Sequence, residues 1–288
     1  MKRWLAVFVL LLLLLPGCAP AQKAPRWRLV EERFGVVHGI AANAQVYSYD
    51  EDGRLSYSAL LGRDGEAYTE MYYSYEQDGK NVWKIQKVEM NGIPRSGMKE
   101  LLDKDGNVLE CWNETEDGEY VLWKRFEYDK NGNTISERSF GNDGNVQYTY
   151  CWEFDKHGNE TRMISYRGTD DTAVTYDKET FYTYDENGWP LEVMVCYTGR
   201  PGIMTLYTNT YREDGTLECR VGLYEDNTYI EERYNAAGMM ERTEYFTSNG
   251  VSQTKTVWEF DEYGNVVASE EWNGAVMFYR KEMVYETY

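Results

Sequence analysis

The feature that most constrains this chain is a five-residue motif, aromatic, Asp, two residues, Gly, that recurs nine times with local substitutions. It reads YDEDG from Tyr49, YEQDG from Tyr75, LDKDG from Leu102, YDKNG from Tyr128 and FDKHG from Phe154, then YDENG from Tyr184, YREDG from Tyr211, YNAAG from Tyr234 and FDEYG from Phe260. The closing glycines are 26, 27, 26, 26, 30, 27, 23 and 26 residues apart. Self-similarity at such a period means a stack of supersecondary units. Apolar residues do not recur at three and four apart, so the unit is not helical. Midway between the main glycines lie further turn signals at Gly65, Gly92, Gly118, Gly144 and Gly250, with Asp170-Asp171, Gly199 to Gly202, Asp226-Asn227 and Asn273-Gly274 in the remaining places. Two turns and two segments of about eight residues per period are the spacing of an antiparallel meander. The sequence therefore predicts an all-β chain of tandem antiparallel β-hairpins, period about 26 residues, forming a coiled or curled β-strip.

Turn chemistry accounts for the motif without a ligand. An Asp at the first turn position caps a type I turn with its carboxylate, and a Gly at the fourth supplies the positive φ of the bulge that returns the chain to the ladder. The pairs Asp50 and Gly53, Asp103 and Gly106, Asp129 and Gly132, Asp155 and Gly158, Asp185 and Gly188, and Asp261 and Gly264 are assigned this structural role.

The residue four before each main glycine is aromatic except at Leu102, and alternation carries the aromatics back along each strand. Tyr49, Tyr75, Tyr128, Trp152, Phe154, Tyr184, Tyr211, Tyr234, Trp258 and Phe260 are thereby placed on one face as a stripe. About eighteen strands laid flat at about 4.8 Å each would extend roughly 85 Å and leave that stripe wet. The sheet is expected to coil on itself, or to close, until the stripe is covered.

The first residues, MKRWLAVFVLLLLLLPGC, join a basic start to an apolar run ending in Leu15-Pro16-Gly17-Cys18, which reads as a signal peptide over residues 1–17 and resembles a lipobox. That resemblance implies a lipidated Cys18. Residues 18–25 then serve as lipid attachment and tether, 26–288 form the repeat domain, and the expected location is the extracytoplasmic side of a bacterial envelope membrane, held by acyl chains. Removing Lys2 and Arg3 with the leader leaves 28 basic residues against 49 acidic ones, a net charge of −21. Such a field repels phosphate backbones, which excludes nucleic acid as a partner.

Catalytic constellations are not evident. His38 and His157 are the two histidines, His157 sits at the variable third position of a turn, and no nucleophile elbow, zinc-protease helix or phosphate loop occurs. DKDGN from Asp103 and DKNGN from Asp129 resemble fragments of a calcium loop, but glycine stands fourth where a calcium loop has it sixth, and Phe140 takes the twelfth place. No metal, no cofactor and no enzymatic activity are expected. Cys111, Cys151, Cys196 and Cys219 form an even set, yet Cys196 and Cys219 fall two strands apart, about 9.6 Å, too far to bridge, so free thiols are expected. Trp112, Trp123, Trp189 and Trp272 lie off the stripe, either as cross-strand pairs on the second face or as exposed platforms for a glycan.

From Tyr182 through Tyr184, Asp185 and Gly188 to Tyr207 and Tyr211, and more loosely over Val46 to Gly274, the chain resembles the YD or RHS repeat family. The resemblance implies a spiralling β-strip outside the cytoplasm. Unlike the large members, this chain has few repeats, and its end carries neither an Asp-Pro core motif nor a toxin domain. The function expected on this basis is a lipid-anchored, non-enzymatic surface or envelope interaction scaffold with a protein or glycan partner. The alternative is a carbohydrate- or cell-wall-binding module.

Overall fold

The computed structural model describes residues 27–35, 43–168, 176–200 and 202–288. The leader, the lipobox with Cys18, the tether, His38 and the Asp170-Asp171 turn lie outside the described residues. Every regular element among the described residues is a strand. In chain order they are β1 (Trp27–Phe34), β2 (Asn43–Tyr49), β3 (Leu55–Leu61), β4 (Ala67–Asp78), β5 (Asn81–Met90), β6 (Ile93–Leu102), β7 (Val108–Glu114), β8 (Tyr120–Tyr128), β9 (Thr134–Phe140) and β10 (Val146–Phe154). The second half continues with β11 (Glu160–Arg167), β12 (Tyr176–Tyr184), β13 (Pro190–Tyr197), β14 (Ile203–Tyr211), β15 (Leu217–Leu223), β16 (Tyr229–Tyr234), β17 (Met240–Phe246), β18 (Ser252–Phe260), β19 (Val266–Asn273) and β20 (Val276–Thr287).

All twenty strands belong to one sheet. The chain divides into two compact units, one of Met71–Asn209 with Val221–Tyr229, the other of the described residues up to Glu70 with Thr210–Arg220 and Ile230–Tyr288. In the first unit β5 to β14 pair antiparallel, each with the next in sequence. In the second, β17 to β20 and β1 to β3 do the same, and β1 pairs with β20 as well as with β2, from Trp27 opposite Thr287 to Phe34 opposite Lys281. That last pairing corrects the expected coiled strip. A strip leaves its first and last strands as free edges, whereas here the first strand lies between the second and the last, so both of those edges are paired. The physical reason is the edge itself: an unpaired row of N–H and C=O groups attracts other chains, and closure alone removes it.

The main turns explain why each hairpin forms where it does. At Asp129 the backbone N–H of Gly132 donates to the Asp129 carbonyl at 3.0 Å and the Asp129 N–H donates to the Asn133 carbonyl at 2.9 Å. Gly132 has φ of 80°, which a residue with a Cβ adopts only with strain. The register between β8 and β9 shifts beside this turn, between the Glu127–Ser136 and Tyr128–Thr134 pairs, so the extra residue forms a bulge that strengthens the local twist. Between β5 and β6 the connection is instead a two-residue turn in which Asn91 and Gly92 both have positive φ, 51° and 72°.

Packing is thin. Among the described residues, seven apolar side chains are buried against eleven polar or charged ones, and the largest fully buried side chains are Thr149 and Ser58. A sheet held this way has no thick hydrocarbon core. Its stability rests on the ladder, on half-buried aromatics and on ion pairs.

Candidate functional site

Strand register assigns each side chain to one of two faces. The stripe face of the first unit carries Lys124, Phe126 and Tyr128 on β8, and from there a row runs across strands through Phe126, Glu137, Tyr150, Ser165 and Lys178. A second row on the same face runs through Lys84, Glu100, Cys111 and Lys124. The aromatic stripe is thus interleaved with charges, and these are paired: Lys84 with Glu100 at 2.9 Å and Lys124 with Glu137 at 2.6 Å. In the second unit Lys281 pairs with Glu32, which also accepts a hydrogen bond from the Tyr47 hydroxyl at 2.6 Å. Arg220 pairs with Glu232 at 2.6 Å, almost fully buried, and the Tyr234 hydroxyl donates to the same carboxylate. Sequence reading placed the aromatics and passed over these pairs, because a cation and a carboxylate 12 or more residues apart leave no periodic trace.

The stripe residues themselves are half-buried, except Tyr234, which is buried at 6%. Their hydroxyls have a recurring use. Tyr49 donates to the Leu29 carbonyl, Tyr128 to that of Val108 and Tyr184 to that of Glu160, each reaching the start of the preceding strand. Burial pushes the Tyr128 and Tyr184 phenols up to about 12, so they stay neutral donors. Tyr150 stacks on Trp152 at 6.1 Å between centroids.

The turn residues form a second constellation. Asp50, Asp103, Asp129, Asp155, Asp185 and Asp261 each accept backbone N–H bonds from the residues two and four ahead on one carboxylate oxygen. On the other oxygen, Asn107, Asn133, Asn159 and Asn265 donate their side-chain amides to Asp103, Asp129, Asp155 and Asp261. The asparagine after the glycine is a part of the motif that sequence reading left unused, although Gly-Asn recurs four times at the main turns. The Asp129 carboxyl lies below its ordinary range: burial alone would raise it, and hydrogen bonds from the backbone and side chain of Asn133 outweigh that. Neighbouring turns frame shallow grooves, one of about 600 Å³ between Asp103 and Asp129 and one of about 400 Å³ between Asp155 and Asp185. Among the described residues no group of three or more His, Cys, Asp or Glu side chains is placed to hold a metal ion.

The opposite face carries cross-strand ion pairs: Arg125 with Glu110, Arg138 with Glu127, Arg162 with Glu153 and Glu179, and Arg280 with Glu259, Glu270 and Glu282. Trp123 is exposed at 41%, Trp272 lies across from Lys255 in the ladder, and the backbone N–H of Trp189 donates to the Asp185 carboxylate in the turn. Trp112 joins Trp83, with ring centroids 6.4 Å apart. Cys111, Cys151, Cys196 and Cys219 are unbridged. Burial pushes the Cys111 thiol up to about 11, which makes it a packing residue and not a nucleophile.

No protein-family model matches the sequence, and no curated protein matches it. Among solved structures the chain is similar to the TcdB2–TccC3–TEV structure at 13% identity, with a TM-score of 0.27 over 80% of this chain and 11% of that one. It is also similar to a porin-like protein from Bacteroides uniformis ATCC 8492, at 9% identity and a TM-score of 0.37 over 90% of this chain and 98% of that one. A porin-like protein from Bacteroides vulgatus ATCC 8482 matches at 9% identity and a TM-score of 0.29 over the same shares. The chain spans about a tenth of the length of the TcdB2–TccC3–TEV chain. Likenesses this loose do not assign the chain to a family, and none of them supports the YD or RHS assignment beyond the turn motif itself.

The anchored-scaffold reading, with its carbohydrate-binding alternative and its repeat-strip label, is overturned by the β1–β20 pairing, and nothing in the described residues supports the lipoprotein label. A presentation strip needs an open surface with free ends, and β1 pairing with β20 removes the ends.

Proposed function

We propose that this chain is a β-barrel protein of the cell envelope that admits a polar solute along its tyrosine- and ion-pair-bearing face, and that it does so without catalysis. The observation that carries the reading is the β1–β20 pairing, because a sheet with no free edge has an inner and an outer face. The composition of the stripe face supports it further. The half-buried Tyr150 and the half-buried pairs Lys84–Glu100 and Lys124–Glu137, with the buried hydroxyls of Ser165 and Thr205, put polar groups on a face where a sealed core would carry Leu, Ile and Val. The net negative charge favours cationic or neutral solutes over anions.

Hydroxyl-radical footprinting of the purified chain tests this. If the stripe face is wet, Tyr150 and Trp152 react at rates approaching that of Tyr263, which is 55% exposed. Full protection of the stripe would make it a sealed core and end the reading.

A second reading, a membrane-spanning channel, is favoured by the same closure, since only helices and closed sheets satisfy their backbones in lipid. Against it stand Arg125, Arg138, Arg162 and Arg280 on the face opposite the stripe. An Arg facing lipid at mid-bilayer costs about 2 to 4 kcal/mol. Planar-bilayer recording separates the two: stepwise conductance favours the channel, and its absence from a chain that stays monodisperse without detergent favours a water-immersed barrel.

A further inference from the structure

We propose that Trp83, Trp112 and Tyr120 form a binding cage for a quaternary ammonium group, closed in this structure by Lys99. The site lies on the face opposite the stripe and is independent of the solute-handling reading above. Lys99 stands on β6 across from Trp112 on β7. Its Nζ is 4.5 Å from the Trp83 ring centroid, 4.7 Å from that of Tyr120 and 5.2 Å from that of Trp112. Among the described residues no carboxylate pairs with Lys99, in a chain with 49 acidic residues. Three ring faces alone hold this cation.

The rings are set in place by other groups. The Trp83 Nε1 donates to Asp78 at 3.2 Å and the Trp112 Nε1 to Glu110 at 3.0 Å. The Tyr120 hydroxyl accepts from Lys87, whose ammonium also bonds Glu114 at 2.7 Å. With both indole N–H groups tied back to carboxylates and the Tyr120 hydroxyl held by Lys87, the three π faces meet at the Lys99 ammonium, and the carboxylates behind the indoles deepen the negative potential there. Lysine is a poor permanent occupant. Its ammonium is compact and strongly hydrated, and its four-carbon stem lets it swing out to water. A trimethylammonium group loses little hydration on entry and touches all three faces at the spacing already present. Lys255 over Trp272, at 4.4 Å, shows what a single-ring contact looks like and serves as the internal control.

The test is tryptophan fluorescence of the purified full chain titrated with choline chloride, against ammonium chloride at equal ionic strength. Choline should give a saturable change and ammonium none. Lys99→Ala removes the plug and should tighten choline binding about fivefold. Adding Trp112→Leu to that variant should abolish the response, and Lys255→Ala should leave it unchanged. If the Trp112 variant loses its β-sheet circular dichroism, Tyr120→Leu takes its place. Phosphatidylcholine vesicles, with phosphatidylglycerol vesicles as reference, distinguish a lipid headgroup from a free small cation as the source, and binding of either kind supports the cage. Equal responses to ammonium and choline, or a Lys99→Ala chain that binds choline no more tightly than the parent, would overturn it.

Discussion

The hairpin between β8 and β9 and the seam between β1 and β20 use the same antiparallel ladder and are built in opposite ways. The hairpin is closed by residues that follow one another: Asp129 caps, Gly132 takes the left-handed φ, and Asn133 ties back to the Asp129 carboxylate. The seam joins residues as far apart as Arg28 and Glu286, 258 positions along the chain. It is held by side chains that occur once: the buried Glu32–Lys281 pair, the Arg28–Glu286 pair, and Arg28 set over the rings of Tyr49 and Tyr288 at 4.9 and 5.2 Å. Local closure is cheap in entropy and repeats; the long closure must be secured by specific contacts. Architecture follows from the seam, although the hairpins dominate the sequence.

The sharpest way to break this contrast is to remove the seam strand. A chain beginning at Asn43 bares the edges of β2 and β20 and should lose its cooperative thermal transition and elute from size exclusion as aggregate. A monomer with an unchanged melting curve would show that the seam is ornamental.

Next in size is the seam's buried charge. Lys281→Ala leaves Glu32, whose side chain is 6% exposed, without its cation, at a cost of about 3 kcal/mol in urea unfolding. Arg125→Ala breaks a pair of similar chemistry in which the Arg is 47% exposed and should cost under about 1 kcal/mol. Equal losses at the two positions would mean that burial is not what distinguishes them.

Within the hairpin, Gly132→Val forces a β-branched residue to φ of 80° and should cost about 2 kcal/mol or more. Asp129→Ala removes one cap and should cost about 1 kcal/mol. The reverse ranking would relocate the turn's importance from backbone geometry to the carboxylate, as a ligand-binding turn would require.

These contrasts also explain what was legible in the sequence. Strand positions, turn positions and the shared face of Tyr128, Trp152 and Tyr184 follow from local rules with a period, and one chain contains nine trials of them. Closure has no period. Nothing in Trp27 to Phe34 announces that its partner is Val276 to Thr287, because β1 lacks the motif and its pairing partners are fixed by a fit that exists only once the sheet has formed. The Lys99 cage was hidden for a related reason. Trp112 was visible as an off-stripe aromatic, but its neighbours Trp83, Lys99 and Tyr120 come from three other strands, and a bulge in the β7–β8 ladder between Cys111 and Trp112 breaks simple alternation where Tyr120 enters.

The smallest expected effect concerns acid. The carboxyls of Asp103, Asp129 and Asp155 lie below their ordinary range in the folded chain; burial raises each, and hydrogen bonds from the following asparagines more than offset it. A carboxyl whose folded value is depressed contributes stability that is fully present above the unfolded value, about 3.9, and is lost as pH falls through the folded value. Asp129→Asn keeps an acceptor oxygen for the N–H groups of Asn131 and Asn133 but has no charge to lose. The parent should therefore exceed the variant in stability at pH 7, and the gap should narrow as pH drops below about 4. Urea unfolding of both chains at pH 7 and at the lowest pH where the parent still folds measures this directly. A gap that holds constant with pH would show that the ionised cap contributes nothing beyond its shape, leaving Gly132 as the residue that makes the turn.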